Sequence, residues 1–346
     1  MCKSIFACLL LVASTTFAQS NGCRFVSFNA PGAVGLTQPS GINNAGTITG
    51  TFTDASDVLH GFVRDVQGTI TPFDPPGSTK TFANSINNFG VITGYFTDAS
   101  KLNHGFVRSA FGTFTDFDFP DSIGTQANSI NDLGAITGTY GDIASIFHGF
   151  VRDQSGIHAF DPPGSVNTNG QSINDLGNIT GSYLDSSGLT HGFVRDKRGD
   201  FQTFDPPGST STSPTDTNDM GMIAGWFIGP NFIFHGFVRN EQGTITTFDP
   251  TGSTLTVASS INADGTVVGY FADGSDVLHG FVRVQQGRIT NFSAPGGGSG
   301  FFQGTGLASI NAVGDVAGYY IDNNNVTHGL LLQKLDPCVE SEASGR

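Results

Sequence analysis

Residues Ser85 to Ser122, SINNFGVITGYFTDASKLNHGFVRSAFGTFTDFDFPDS, decide the fold, because the chain writes this stretch seven times. Its firmest mark is His-Gly, at His60, His104, His148, His191, His235, His279 and His328, with intervals of 44, 44, 43, 44, 44 and 49 residues. The Asn of Ser-Ile-Asn keeps the same beat, at Asn43, Asn87, Asn131, Asn174, Asn218, Asn262 and Asn311. Two markers in phase define a repeat, and a period of this size sets the architecture before any local motif does.

Within the quoted unit, Phe82 to Ile86 alternates apolar with small polar residues and stops at the turn Asn87-Asn88-Phe89-Gly90. Val91 to Thr97 is rich in β-branched and aromatic residues. After a loop, His104 to Arg108 and Thr113 to Asp118 complete four short strands. The exit loop Phe119–Ser122 is spelled with Pro-Pro-Gly-Ser in several other units, and proline ends a strand because it cannot donate to the ladder. Four antiparallel strands per unit, with no helical period, predict a propeller blade.

The apolar positions agree from unit to unit. Phe52, Phe96, Tyr140, Tyr183, Phe227, Phe271 and Tyr320 fall in the second strand. Phe62 to Phe281 and Leu330 repeat in the third, and Phe28 to Phe292 in the fourth. A sheet apolar on both faces needs a neighbour on each side. An open solenoid would leave its ends bare. Here the ends complement each other: Arg24 to Ala30 reads as a fourth strand, and the last unit stops after its third, at His328 to Leu332. The expected fold is therefore all-β. It is a seven-bladed β-propeller closed by the N-terminal strand, which supplies the fourth strand of the last blade and removes two sheet edges.

Residues 1–18 read as a secretory signal peptide: Lys3, an apolar run from Ile5 to Ala13, then small residues to Ala18. The run is far shorter than the ~20 residues a membrane span needs. Residues 23–338 form the propeller domain and 339–346 an expected disordered tail. Cys2 and Cys8 would leave with the leader. The ring register brings Cys23 near Cys338, so a Cys23–Cys338 disulfide is expected in a secreted or periplasmic protein.

With 15 Lys and Arg against a net charge of −14, the chain has no basic patch, which argues against nucleic acid and anionic membranes as partners. Only 13% of residues are charged, while Gly numbers 48 and Phe 31; that balance argues for dense β-structure over disorder.

The recurring SIN-x-x-G, G-Y-F-x-D, H-G-F-V-R and F-D-P-P-G motifs, over about residues 24–333, resemble those of the bacterial extracellular HAF-repeat proteins. The resemblance implies an exported repeat protein and no particular reaction. This chain has His-Gly-Phe where the family name suggests His-Ala-Phe, which hardly touches the fold.

In a propeller the second-to-third and fourth-to-first connections share one face. That face should collect the repeated His, the Asp six residues before most of them, and Asp74, Asp118, Asp161, Asp205 and Asp249. Seven His around a ring cannot converge on one ion at ~2 Å ligand distances, and no Asp-rich calcium loop is present. The His and Asp are read as loop braces, and neither metal nor cofactor is expected.

A residue present in every unit serves packing, so a ligand site must break the repeat. The fifth unit carries Trp226, the loop Gly229 to Phe234 with Phe232 and Phe234, and Asp216 in place of the Ser of Ser-Ile-Asn. The third has an apolar loop, Ile143 to Phe147. The seventh carries extra residues around Phe301 and Phe302. All three departures are expected on the connection-rich face, as a contact surface. No G-x-S-x-G or H-E-x-x-H motif is present. The sequence reading is a monomeric, non-catalytic binding module for a protein or glycan. Its alternative is a carbohydrate lyase or hydrolase using loop carboxylates near the axis, with Asp216 the first candidate.

Overall fold

The computed structural model describes residues 17–20 and 23–334, and among these the regular structure is β throughout, in 29 strands. The leader to residue 16, the tail 339–346 and Cys338 lie outside the described residues, and the Cys23–Cys338 pairing with them.

The quoted stretch, with the residues just before it, folds as Lys80–Ile86, Ile92–Thr97, Asn103–Arg108 and Phe114–Phe117, each antiparallel to the next. The same order recurs over 37–73, 124–160, 165–204, 211–248 and 255–292. Single parallel pairs, Thr190 with Ser211 and Leu278 with Gly304, join two neighbouring couples of units edge to edge.

The last unit is built as its missing strand required. Gly304–Ile310, Val316–Ile321 and Thr327–Lys334 are followed in space by Cys23–Phe28. Phe28 lies opposite Gly329, as Phe73 lies opposite Gly61. One detail differs from expectation: Phe17–Ser20 pairs outside Cys23–Phe28, so this unit has five strands. The outer edge left open by a fourth strand can accept another.

The hydrophobic cores lie between units. Phe73 of the first packs with Ala83, Ile86, Ile92, Phe96 and Phe106 of the second. The last and first units meet in the same way, through Val26, Phe28, Ala317 and Leu331 against Ile42, Ile48, Phe52 and Phe62. The repeated Arg staples these interfaces: Arg64 stands 5.0 Å from the Phe28 ring centre, Arg108 4.9 Å from Phe73 and Arg239 5.0 Å from Phe204. Each guanidinium lies over a π face of the preceding unit, a favourable cation–π geometry.

Polar side chains on the innermost strands run around the ring. Each Asn of the first turn donates through Nδ2 to the carbonyl of the next: Asn43 to Asn87, then Asn131, Asn174, Asn218, Asn262 and Asn311. Asn311 donates to Asn43 at 3.0 Å and closes the circle. Each Oδ1 caps its own turn, as Asn174 does for Asn178 N–H. A bulge three residues upstream frees another side chain to cross: Asn84 to Ala127 O, Asn128 to Gly170 O and Thr215 to Ala258 O.

A further circle runs one step in. Ser85, Ser129, Ser260 and Ser309 accept, through Oγ, the backbone N–H of Ile130, Ile173, Ile310 and Ile42 in the next unit. The first unit has Gly41 here, and a Cβ on it would sit 3.5 Å from Ile86 N. Gly41→Ser should complete the circle and raise stability by about 1 kcal/mol, through one hydrogen bond and a stiffer unfolded chain. A urea midpoint that rises with unchanged slope is the expected result; a fall would show that the position rejects the side chain.

Candidate functional site

Antiparallel order puts the second-to-third and fourth-to-first connections of every unit at one end of the strands. The His-Asp network stands there. His60 Nδ1 meets Asp74 Oδ2 at 2.7 Å, and its Nε2 meets Asp54 Oδ2 at 3.4 Å. His104, His148 and His191 repeat the arrangement with Asp118 and Asp98, Asp161 and Asp142, and Asp205 and Asp185. Each imidazole also packs on the second-strand aromatic, with His60 and Phe52 centroids 5.1 Å apart. Asp54 ties the loop itself, accepting the backbone N–H of Ser56 and Val58. This is the bracing that the repeat implied. Among the described residues no group of three or more His, Cys, Asp or Glu is placed to hold a metal ion.

The bracing carries a pH dependence. Partial burial opposes charge on His60, His104, His148 and His191, but the paired carboxylates outweigh it and raise all four pKa values. Backbone N–H donors come first in holding Asp54, Asp98 and Asp142 below the usual range, with the His bonds assisting. A raised His pKa adds stability that is whole below the unfolded value, about 6.5, and is lost as pH rises through the folded value. A lowered Asp pKa adds stability that is whole above about 4 and is lost as pH falls through the folded value. Chemical stability should therefore be greatest between about pH 4 and 6.5 and lower at pH 8.5. His191→Gln should reduce that alkaline loss; an identical loss in wild type and variant would contradict the assignment.

The departures from the repeat are not all alike. Phe232 and Phe301 are 83% and 73% exposed, and Phe302 is 40% exposed with its ring set perpendicular to Phe301 at 4.6 Å. Ile143 and Phe147 of the third unit are also exposed. Phe232 and Phe302 have φ of 60° and 52°. The left-handed region is costly for a bulky side chain, and such strain persists where something other than stability requires it. Sibling units place Asp57, Lys101, Ser145, Asp276 or Asn325 at the Phe232 position. Trp226 and Phe234 are half-buried and pack on each other, ring centres 5.0 Å apart.

Asp216 stands elsewhere. It lies two residues before the Asn218 turn, so it stands at the opposite end of its strand from the aromatic loops. The sequence placed it with them because substitution, not strand direction, was the signal. Its carboxylate takes Ser172 and Ser260 hydroxyls at 2.9 and 2.8 Å and the N–H of Thr217 and Ile261 at 2.9 and 3.0 Å. Burial pushes its pKa up, against the pull of these donors. It fills a structural link in the inner circle, where its siblings use Ser.

That end of the ring shows a feature the sequence reading missed. A cavity of about 220 Å³ on the axis is lined by turn residues of every unit, including Asn88, Asp132, Asp175 and Asp219. Asp175 has a raised pKa, from burial first and from Asp132 and Asp219 after it. The same turns carry the exposed Phe89, Leu133, Leu176, Met220 and Val313, each just before the turn Gly. The periodic x in Asn-x-x-Gly was the available sign.

No family model and no curated protein matches the chain. Solved structures do. A puromycin hydrolase superposes with a TM-score of 0.58 at 10% identity, over 89% of this chain and 54% of its own. A puromycin-hydrolysing peptidase of Mycobacterium tuberculosis gives 0.54 at 10%, over 90% and 54%. A lectin from Burkholderia pseudomallei gives 0.54 at 10%, over 82% of this chain and 91% of its own. The fold is that of the β-propellers. At this identity the likeness shows the fold alone, and the chain spans about half the length of the puromycin hydrolases it matches. Among the described residues of this propeller, no helix is long and apolar enough to cross a membrane.

Proposed function

We propose that this chain is an exported, seven-bladed propeller of the HAF-repeat kind that binds a glycan or protein without catalysing a reaction. The observation that carries the reading is the pair Phe232 and Phe302, solvent-facing phenylalanines held at positive φ in loops at one end of the ring. Strain and lost burial both oppose such an arrangement, and a ligand that stacks on the rings would compensate. The seven-membered Asn circle, closed from Asn311 to Asn43, supports the blade count. Asp216 supports the non-catalytic reading: four donors already occupy its carboxylate, which leaves little capacity for acid–base chemistry. A glycan is the first ligand class to try, since the C–H faces of sugar rings stack on exposed aromatic rings, and a lectin is among the fold neighbours.

Under this reading residues 1–18 are a cleaved leader, and a Cys23–Cys338 bridge locks the ring in the secreted or periplasmic protein with about 2–4 kcal/mol. Thiol titration of the denatured, unreduced mature protein should find no free thiols. For the binding site, a glycan array and an envelope-protein pull-down should each be run on wild type and on Phe232→Ser/Phe301→Ser/Phe302→Ser. Loss of every captured ligand by a folded variant is expected. Capture that persists unchanged would place the site elsewhere.

A further inference from the structure

The quoted unit breaks its own repeat at a place the aromatic loops do not touch. Its exit loop reads Phe119-Pro120-Asp121-Ser122, where siblings read Pro75-Pro76-Gly77-Ser78 and Pro206-Pro207-Gly208-Ser209. The Gly position needs a left-handed backbone: φ is 84° at Gly77, 85° at Gly164 and 80° at Gly208. Asp121 keeps that conformation at 57°, although glycine would hold it at no steric cost. The other substitution changes the hydrogen bonding. Proline has no N–H, but Phe119 has one, and it donates to Thr125 Oγ1 at 2.9 Å. Thr125 also pairs with Ser122 Oγ at 3.2 Å. In sibling units the matching threonines, Thr81 and Thr212, donate instead to Asp74 and Asp205. Asp118 is thereby released from its threonine and keeps only His104, whose Nδ1 lies 2.9 and 3.1 Å from its two oxygens. The Phe119 ring, turned aside, stacks on Tyr140 at 3.7 Å.

These changes open a cleft of about 300 Å³ between the second and third units. Its apolar wall is Leu102 and Ile123, 42% and 43% exposed, with Phe119 and Pro120. Its polar lining is Asp118, with His104 against it, Asp121, Ser122 and the Asn103 amide, and no Lys or Arg is among its lining residues. Lys101 precedes Leu102 in the chain but does not line the cleft. A hard divalent cation needs six to eight oxygens and would find apolar carbon on one side. A pocket with carboxylates at one end and alkyl walls at the other suits a charged head on an apolar body.

We propose that this cleft binds a small organic ammonium ion, its charged nitrogen held by Asp118 and Asp121 and its hydrocarbon part against Leu102 and Ile123. The site is separate from the Phe232 and Phe302 surface and does not depend on it.

The probes are phenethylamine, its neutral counterpart 2-phenylethanol, calcium chloride and a methyl glycoside, each titrated into the full-length protein by calorimetry and ligand-observed NMR. Phenethylamine should bind and 2-phenylethanol should bind at least about tenfold more weakly. Asp121→Gly restores the residue that siblings carry, so it should raise the melting temperature while weakening phenethylamine by about tenfold. Asp121→Asn keeps size and backbone tolerance and should weaken binding similarly. No phenethylamine binding by wild type, equal binding of the alcohol, preference for calcium or the glycoside, or unchanged affinity in both variants would each overturn the proposal.

Discussion

Gly94→Ala is expected to cost about 3 kcal/mol or more, enough to unfold much of the protein at moderate denaturant. Gly94 lies opposite Ala83 in the second strand of its unit, beside the bulge between Ala83 and Ser85. The bulge carries the first strand's backbone over it, so an added Cβ would fall inside the carbonyl oxygen of Phe82. Backbone cannot yield as a flexible side chain can, because Phe82 is held in the ladder on one side and the next unit is packed on the other. The same collision awaits a Cβ at Gly138, Gly181 and Gly269, against Gln126, Asn169 and Val257 carbonyls. The Gly of the second strand is thus a close-approach glycine, retained for the bulge that sends Asn84 across to the next unit. The control is Gly274→Ala, an exposed loop position with no atom within 4 Å of the added carbon. That variant should stay within about 0.5 kcal/mol of wild type. Urea melts that failed to separate the two would remove the close-approach argument.

Asn174→Ala is the second large effect, expected at about 2–4 kcal/mol. Asn174 is 4% exposed and serves two buried partners. Its Nδ2 donates to Asn218 O at 2.9 Å, and its Oδ1 accepts from Asn178 N at 2.9 Å. Alanine leaves the Asn178 N–H without its partner, at about 1–3 kcal/mol, and takes from the Asn218 carbonyl one of its two bonds, the Gly221 N–H at 3.0 Å remaining, at about 1 kcal/mol more. Asn174→Asp repairs the turn but aims an anionic oxygen at the Asn218 carbonyl, so it should do no better. Denaturant melts of the two variants decide this, and near-native midpoints in both would show that the Asn circle adds little.

Much of this was legible in the sequence because it repeats. His-Gly and Ser-Ile-Asn in phase marked the four-strand repeat, and the stray Arg24-Phe25-Val26-Ser27-Phe28 at the front foretold the strand that lies against Leu330 and Leu331. The His-Asp braces were readable for the same reason. What was not readable is whatever depends on direction within a strand or on contacts one period away. Asp216 looked like a ligand residue because it broke a motif; only the inner circle shows that it replaces a serine hydrogen bond. Trp226 was singled out for the same reason, and its contact with Phe234 could not be read from the sequence. The unit-two cleft was signalled by Phe-Pro-Asp in place of Pro-Pro-Gly, yet its effect passes through the N–H that proline lacks and a threonine that changes partner. The exposed apolar residues of the turn face, Phe89, Leu133, Leu176, Met220 and Val313, were easy to pass over because each is a single residue inside a turn.

Everything in the account depends on the first and last units being neighbours, as the 2.9 Å bond from Ala312 N to Asn44 Oδ1 places them. Spin labels on cysteines at Ala45 and Val313, both on exposed turns, measure this directly by pulsed electron resonance. A closed ring puts the labels on adjacent sheets, about 10 Å apart before adding the label arms, so a distance below about 30 Å is predicted. An open stack of the same units separates them by six sheet spacings, and a distance near 60 Å would contradict the ring.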